Sequence, residues 1–257
     1  MYEPRPRLNA ASHICKLSFP MYAGLQPHNF TPTTLTMLEI ACFDTSSAVA
    51  AAKAGASRIE LCANYAAGGV TPSITSLSSI REATTIPINV MIRPRAGDFN
   101  YTLEEFTQMK ADIELFKPSS NGFVFGILHP KDSVDEVRNK ELVELAAPLP
   151  CTFHRAIDET LVLDEAVNAI VECGFKSILT SGGMKNAVEG AERVALLQAK
   201  FGSQITFILG GGVRSTNVEQ LKRRTGVQWV HSAAITKAGE EVDEEEVRKL
   251  QKALRNS

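Results

Sequence analysis

The sequence predicts an α/β chain folded as a single (β/α)8 barrel of the TIM type, and three observations predict it. From Leu38 onward, eight short runs rich in β-branched and aromatic residues alternate with amphipathic helical segments. Eight such units in about 220 residues suit a closed barrel better than an open doubly wound sheet. A faint repeat supports the count. Ala54-Gly55-Ala56-Ser57-Arg58-Ile59, Cys173-Gly174-Phe175-Lys176-Ser177-Ile178 and Thr225-Gly226-Val227-Gln228-Trp229-Val230 each end a helix on a glycine and start a strand within about three residues.

Taken in order, the expected strands are 38–43, 58–62, 87–92, 122–128, 151–155, 177–181, 205–210 and 227–232, with a helix after each. Thr45 or Ser46 is positioned to cap the first helix, and Gly55 to end it. Thr102 with Glu105, and Ser133 with Glu136, have capping-box spacing. Ser215 or Thr216 opens the helix after the seventh strand, and Asp243 with Glu246 opens the last.

The barrel domain is expected over 37–257. Residues 1–36 carry Pro4, Pro6, Pro20, Pro27 and Pro32, one acid (Glu3) and no apolar period, so they read as a disordered leader or extension. A net charge of −2 with 22 % charged residues gives no electrostatic reason to expect nucleic acid or an anionic membrane as partner. No apolar run reaches the roughly 18–20 residues of a membrane span. Five cysteines at irregular spacing do not form a disulfide framework, which favours a reducing compartment.

Side chains alternate across a strand, so the apolar residues of each run identify its helix-facing side. Ile59 and Leu61 turn Glu60 and Cys62 inward. Ile88, Val90 and Ile92 do the same for Asn89, Met91 and Arg93. The first strand directs Glu39, Ala41 and Phe43 inward and Cys42 outward; strands five and eight contribute Thr152, His154, Trp229 and His231. The interior therefore holds Glu39, Glu60, Arg93, His154 and His231, an unusual charge load.

At the carboxyl ends of barrel strands such residues have a positional claim to function. Glu60, Arg93 and His154 could serve as base, anion anchor and acid, with Asp158 close enough along the chain to orient a basic neighbour. The structural alternative is a buried Glu–Arg pair and a hydrogen-bonded His. Arg95, in the turn-rich Arg93–Asp98 loop, has the chemistry to clamp a carboxylate or phosphate, or to pair locally with Asp98. Gly210, Gly211 and Gly212 with Ser232, and Ser181 after the sixth strand, stand where many barrels bind phosphate; tight turning is the alternative. Cys42 and Cys62 end adjacent strands about 4.8 Å apart and offer soft thiolates, although free cysteine is also a common core residue.

Several motifs together resemble the CutC family of copper homeostasis proteins. They are Glu39-Ile40 with Cys42, Arg58-Ile59-Glu60-Leu61-Cys62, Gly68-Gly69-Val70-Thr71-Pro72-Ser73, Met91-Ile92-Arg93-Pro94-Arg95 with Gly97-Asp98-Phe99, Thr152-Phe153-His154-Arg155-Ala156 with Asp158, and Leu179-Thr180-Ser181-Gly182. The similarity runs from about Leu38 to Ala233. It implies a (β/α)8 barrel, a cytoplasmic protein of copper handling, Cu(I) bound through Cys42 and Cys62, and a homo-oligomer. The chain departs from the pattern after His231-Ser232-Ala233, where a short segment leads almost directly to the last helix. Three readings are therefore in competition: a Cu(I)-binding homeostasis protein, an enzyme acting on a small anionic or phosphorylated metabolite with Glu60, Arg93 and His154, and a scaffold whose interior charges are only structural.

Overall fold

Eight parallel strands pair in chain order and close into a barrel, the last returning to the first. They are β1 (Met37–Cys42), β2 (Arg58–Leu61), β3 (Ile88–Met91), β4 (Gly122–Phe125), β5 (Cys151–Phe153), β6 (Ser177–Thr180), β7 (Thr206–Leu209) and β8 (Trp229–Ser232). The intervening helices are α1 (Thr45–Lys53), α2 (Ile74–Ala83), α3 (Leu103–Phe116), α4 (Glu136–Ala146), α5 (Leu163–Glu172), α6 (Ala187–Phe201), α7 (Val218–Thr225) and α8 (Glu244–Arg255). This computed structural model describes residues 36–130 and 132–255. The leader expected over 1–36 lies outside the described residues, Thr36 excepted.

The expected division of faces holds. Leu38, Ile40, Cys42, Ile59, Leu61, Ile88, Val90 and Ile92 are all fully buried in the layer between strands and helices. Burial of each large aliphatic side chain there contributes about 1.5–3 kcal/mol. A separate small cluster of Cys62, Met91 and Val124, with Phe43 against it, lies inside the barrel. The three repeated joins place Gly55, Gly174 and Gly226 at φ +101°, +95° and +68°, a conformation that costs glycine little.

Several local expectations need correction. Asp44, not Thr45 or Ser46, caps α1 by accepting the Ser47 amide, because its carboxylate reaches the third residue from the extended backbone. Asp135 caps α4 in place of Ser133. Asn217 precedes α7, and Ser215 instead donates its amide and hydroxyl to Glu246. The Thr102–Glu105 capping box is present as expected, and Asp243 accepts the amides of Glu245 and Glu246. The fourth strand stops at Phe125 instead of 128, since the Asn139 side-chain amide takes both the N–H and the carbonyl of Ile127.

Candidate functional site

A cavity of about 320 Å³ opens at the carboxyl ends of the strands. Glu60, Cys62, Met91, Arg93, His154 and His231 line it, as alternation along the strands requires. The loop residues Phe43, Tyr65, Phe99, Arg155, Gly211, Gly212, Arg214 and Ala233 also contribute to the wall.

One side of the cavity carries a chain of charge. Barrel closure sets Glu39 of β1 opposite His231 of β8. His231 Nδ1 lies 2.8 Å from Glu39 Oε1, and Arg58 Nε donates to Glu39 Oε2 at 2.6 Å. Arg58 also stacks on Trp229, 4.0 Å from the ring centroid. On its other edge, His231 Nε2 is 3.8 Å from Glu60 Oε2, to which Cys62 Sγ donates at 3.5 Å. Glu60 Oε1 is buried with no hydrogen-bond partner. Burial would raise the Glu39 carboxyl, but Arg58 and His231 hold it below its usual range. Burial dominates at Glu60 and raises it. His231 is pulled down by burial, yet the two carboxylates outweigh this and raise it.

His154 stands elsewhere on the wall. Its Nδ1 accepts the Ala156 amide at 3.3 Å, which assigns the ring proton to Nε2, and Nε2 is buried without a partner. Burial, reinforced by the Arg93 charge, pushes its pKa down to about 3, so the ring is neutral. Phe99 packs on the imidazole with centroids 4.7 Å apart.

Arg93 explains why two of the sequence motifs occur together. Its Nη1 donates to the carbonyls of Ala67 and Gly69 at 2.9 and 3.0 Å, and its Nη2 to Gly97 at 2.8 Å. Thr71 Oγ1 accepts the Arg93 amide. The Gly-Gly-Val-Thr turn and the Arg-Pro-Arg loop are thus one clamped unit. Arg93 contributes positive charge to the cavity while its terminal nitrogens are spent on backbone.

The expected anion residues divide. Gly211, Gly212 and Ser232 line the cavity. The amides of Gly211, Gly212 and Ala233 donate to no acceptor among the described residues. Ser232 Oγ, however, donates to the Val213 carbonyl. Gly210 lies below the cavity with its amide on Thr180. Arg95 stands outside it, paired with Glu105 at 2.6 Å and Asp98 at 2.9 Å. Asp158 also lies outside, on the 3-10 helix Arg155–Glu159. It accepts from the Thr180 and Ser181 hydroxyls, the Ser181 and Gly183 amides, and Arg155. The protein's own carboxylate therefore fills the anion nest after β6, and Ser181 serves Asp158.

Cys42 and Cys62 are adjacent in backbone, the Cys62 amide donating to the Cys42 carbonyl at 2.9 Å. Only Cys62 lines the cavity; Cys42 stands in the helix layer with its thiol toward the Ile40 carbonyl. Burial first, then nearby carboxylates, push both thiols well above the ordinary range. The Glu39–His231 pairing was not anticipated as a unit. Its signal was available, since both positions point inward and closure must join strands one and eight.

The short segment after β8 still reaches across the mouth. Glu240 Oε1 accepts the Tyr65 amide at 3.1 Å, and the Val242 amide donates to Ser47.

Comparison with known proteins matches residues 36–236 to the CutC family model. A CutC family protein of Mesorhizobium japonicum is 38 % identical over 206 residues, 80 % of each chain. One from Klebsiella pneumoniae is 40 % identical over 201 residues, 78 % of this chain and 81 % of the relative. A solved structure designated copper homeostasis protein CutC, from Streptococcus agalactiae, superposes with a TM-score of 0.72 at 30 % identity, covering 77 % of this chain and 98 % of the other.

Proposed function

This chain belongs to the CutC copper homeostasis family, and from that premise we propose that it handles copper by binding Cu(I) through cysteine thiolates in the cytoplasm. The observation that carries the reading is Cys62, a thiol facing the cavity at the mouth of the barrel, with Cys42 one hydrogen bond away on the neighbouring strand. Thiolates are the protein ligands that favour Cu(I) over hard ions. Binding displaces both thiol protons, and metal affinity offsets the cost that burial places on each thiolate. Cys62 fits this role as it stands. Cys42 joins only if the end of β1 turns its side chain inward. The four cysteines among the described residues are free and buried, which accords with a reducing compartment. A Cu(I) titration against a competing chelator, with Cys42→Ser, Cys62→Ser and the double variant, tests the reading. Affinity unchanged in the double variant rejects it.

A specific pair of atoms favours a second reading, an enzyme for a small anionic or phosphorylated metabolite. Glu60 Oε1 and His154 Nε2 are both buried, unpartnered and on the wall of one cavity. Unpartnered buried polar atoms are costly, and they cluster where a ligand supplies the missing partner. His154 Nε2–H is a neutral donor and Glu60 a candidate base, with the amides of Gly211, Gly212 and Ala233 available to an anion. Glu60→Gln and His154→Gln separate the readings, since each should abolish metabolite binding while leaving two-thiolate Cu(I) affinity in place.

A further inference from the structure

The geometry points to a second metal site in the same cavity, a mixed nitrogen–oxygen–sulfur site for a borderline divalent cation of the Zn(II) class, formed by His231 Nε2, the Glu60 carboxylate and Cys62 Sγ. Its donors differ from those of a two-thiolate Cu(I) site and share only Cys62 with it, so neither reading rests on the other.

Glu39, Glu60 and His231 bring one ligand atom each within 4.8 Å of one another. Their hydrogen bonds separate them into two kinds. Glu39 is not available as a ligand, since one oxygen holds Arg58 and the other holds His231 Nδ1. That is the arrangement of metal-bound histidines generally: a carboxylate fixes one ring nitrogen and turns the other toward the ion. Here the other nitrogen, Nε2, faces Glu60 Oε2 at 3.8 Å. The same oxygen lies 3.5 Å from Cys62 Sγ. Two further potential ligand atoms thus flank a single carboxylate oxygen, and Cys62, which stands outside the 4.8 Å group, has to turn its thiol toward His231 Nε2 for all three to meet one ion.

The second oxygen gives an independent indication. Glu60 is 3 % exposed, its Oε1 has no partner, and it lines the cavity. A buried ion pair built for stability alone would satisfy both oxygens. An ion among the three groups would take up the carboxylate, replace the thiol proton and leave a fourth position facing the cavity. Imidazole, carboxylate and thiolate together suit Zn(II), and three protein ligands with one open position is its catalytic pattern.

Titrating the purified full chain with Co(II), then displacing it with Zn(II), tests this. The site predicts saturable 1:1 binding, with tetrahedral visible bands and a thiolate-to-metal charge-transfer band. Cys62→Ser should remove the charge-transfer band, and Cys42→Ser should leave both spectrum and affinity unchanged. Glu60→Gln and His231→Gln should each weaken binding strongly, and Glu39→Gln by about 10–100-fold through loss of ring orientation. Circular dichroism and a thermal melt establish that each variant folds. Should His231→Gln fail to fold, Glu60→Gln and Glu39→Gln decide the matter. Absence of saturable Co(II) binding, undiminished binding by folded Glu60→Gln, or loss of Co(II) in Cys42→Ser overturns the site. Cu(I) affinity measured on the same variants keeps the outcomes apart: failure of the thiolate pair shows in Cys42→Ser, and failure of this site shows in Glu60→Gln.

Discussion

Cys42 and Cys62 are tied together by a 2.9 Å hydrogen bond between their backbones, yet their side chains leave the barrel wall on opposite faces. The register explains this. Cys42 pairs with Leu61, which faces the helices, and Ala41 pairs with Glu60, which faces the cavity. The two thiols are therefore unequal. In Cu(I) titrations, Cys62→Ser should lower affinity more than Cys42→Ser, because the contribution of Cys42 is offset by the cost of turning its side chain out of the helix layer. Equal losses would mean that turning Cys42 inward costs little.

Arg93 joins three backbone carbonyls from two loops and is 7 % exposed. Replacing it with Met keeps much of the packing but leaves those carbonyls unpaired in a poorly hydrated site. We expect Arg93→Met to lose roughly 2–4 kcal/mol in urea unfolding. Arg93→Lys should recover only part of this, since an ammonium cannot reproduce the forked geometry. A loss below about 0.5 kcal/mol, the range of ordinary surface substitutions, would refute the clamp.

The neutral His154 makes stability depend on acid. Its folded pKa of about 3 lies below the value near 6.5 of an unfolded histidine. Between those values the unfolded chain binds more protons, so stability rises with pH across the window and is level above it as far as this group is concerned. Lowering the pH from 7 to 4.5 should cost roughly 2–3 kcal/mol from His154. Subtracting the pH profile of His154→Gln from that of the parent chain isolates the contribution. Superimposable profiles would show that His154 is not held neutral.

Gly126 allows the His154 ring to sit where it does. A Cβ at position 126 would meet His154 Nδ1 at 2.8 Å and Phe153 Cζ at 2.9 Å, with φ in an ordinary range. Gly126→Ala should destabilise the fold by about 1–3 kcal/mol through overpacking and displace the imidazole. The His154 ring resonances report this directly, and an unchanged NMR spectrum would contradict it.

Much of this architecture was legible because strand parity is a local property. Apolar Ile59 and Leu61 determine where Glu60 and Cys62 point, and Ile88, Val90 and Ile92 do so for Arg93. What each inward group does was not legible, since its partners come from distant parts of the chain. Arg93 has the sequence features of an anion anchor, but the carbonyls of Ala67, Gly69 and Gly97 surround its guanidinium. Ser181 resembled an anion ligand, but Asp158 already occupies that nest. Arg95, outside the cavity, answers the local alternative of pairing with Asp98. The Glu39–His231 bond spans 192 positions and follows only from closure of the barrel.

We propose that copper is held by thiolate at the mouth of the barrel. A crystal of the Cu(I)-loaded protein, with anomalous diffraction recorded at the copper edge, tests it most directly. We expect a peak bonded to Cys62 Sγ inside the cavity, with the end of β1 turned so that Cys42 Sγ reaches the same ion. A fully loaded protein whose copper peak lies away from Cys62 would contradict it.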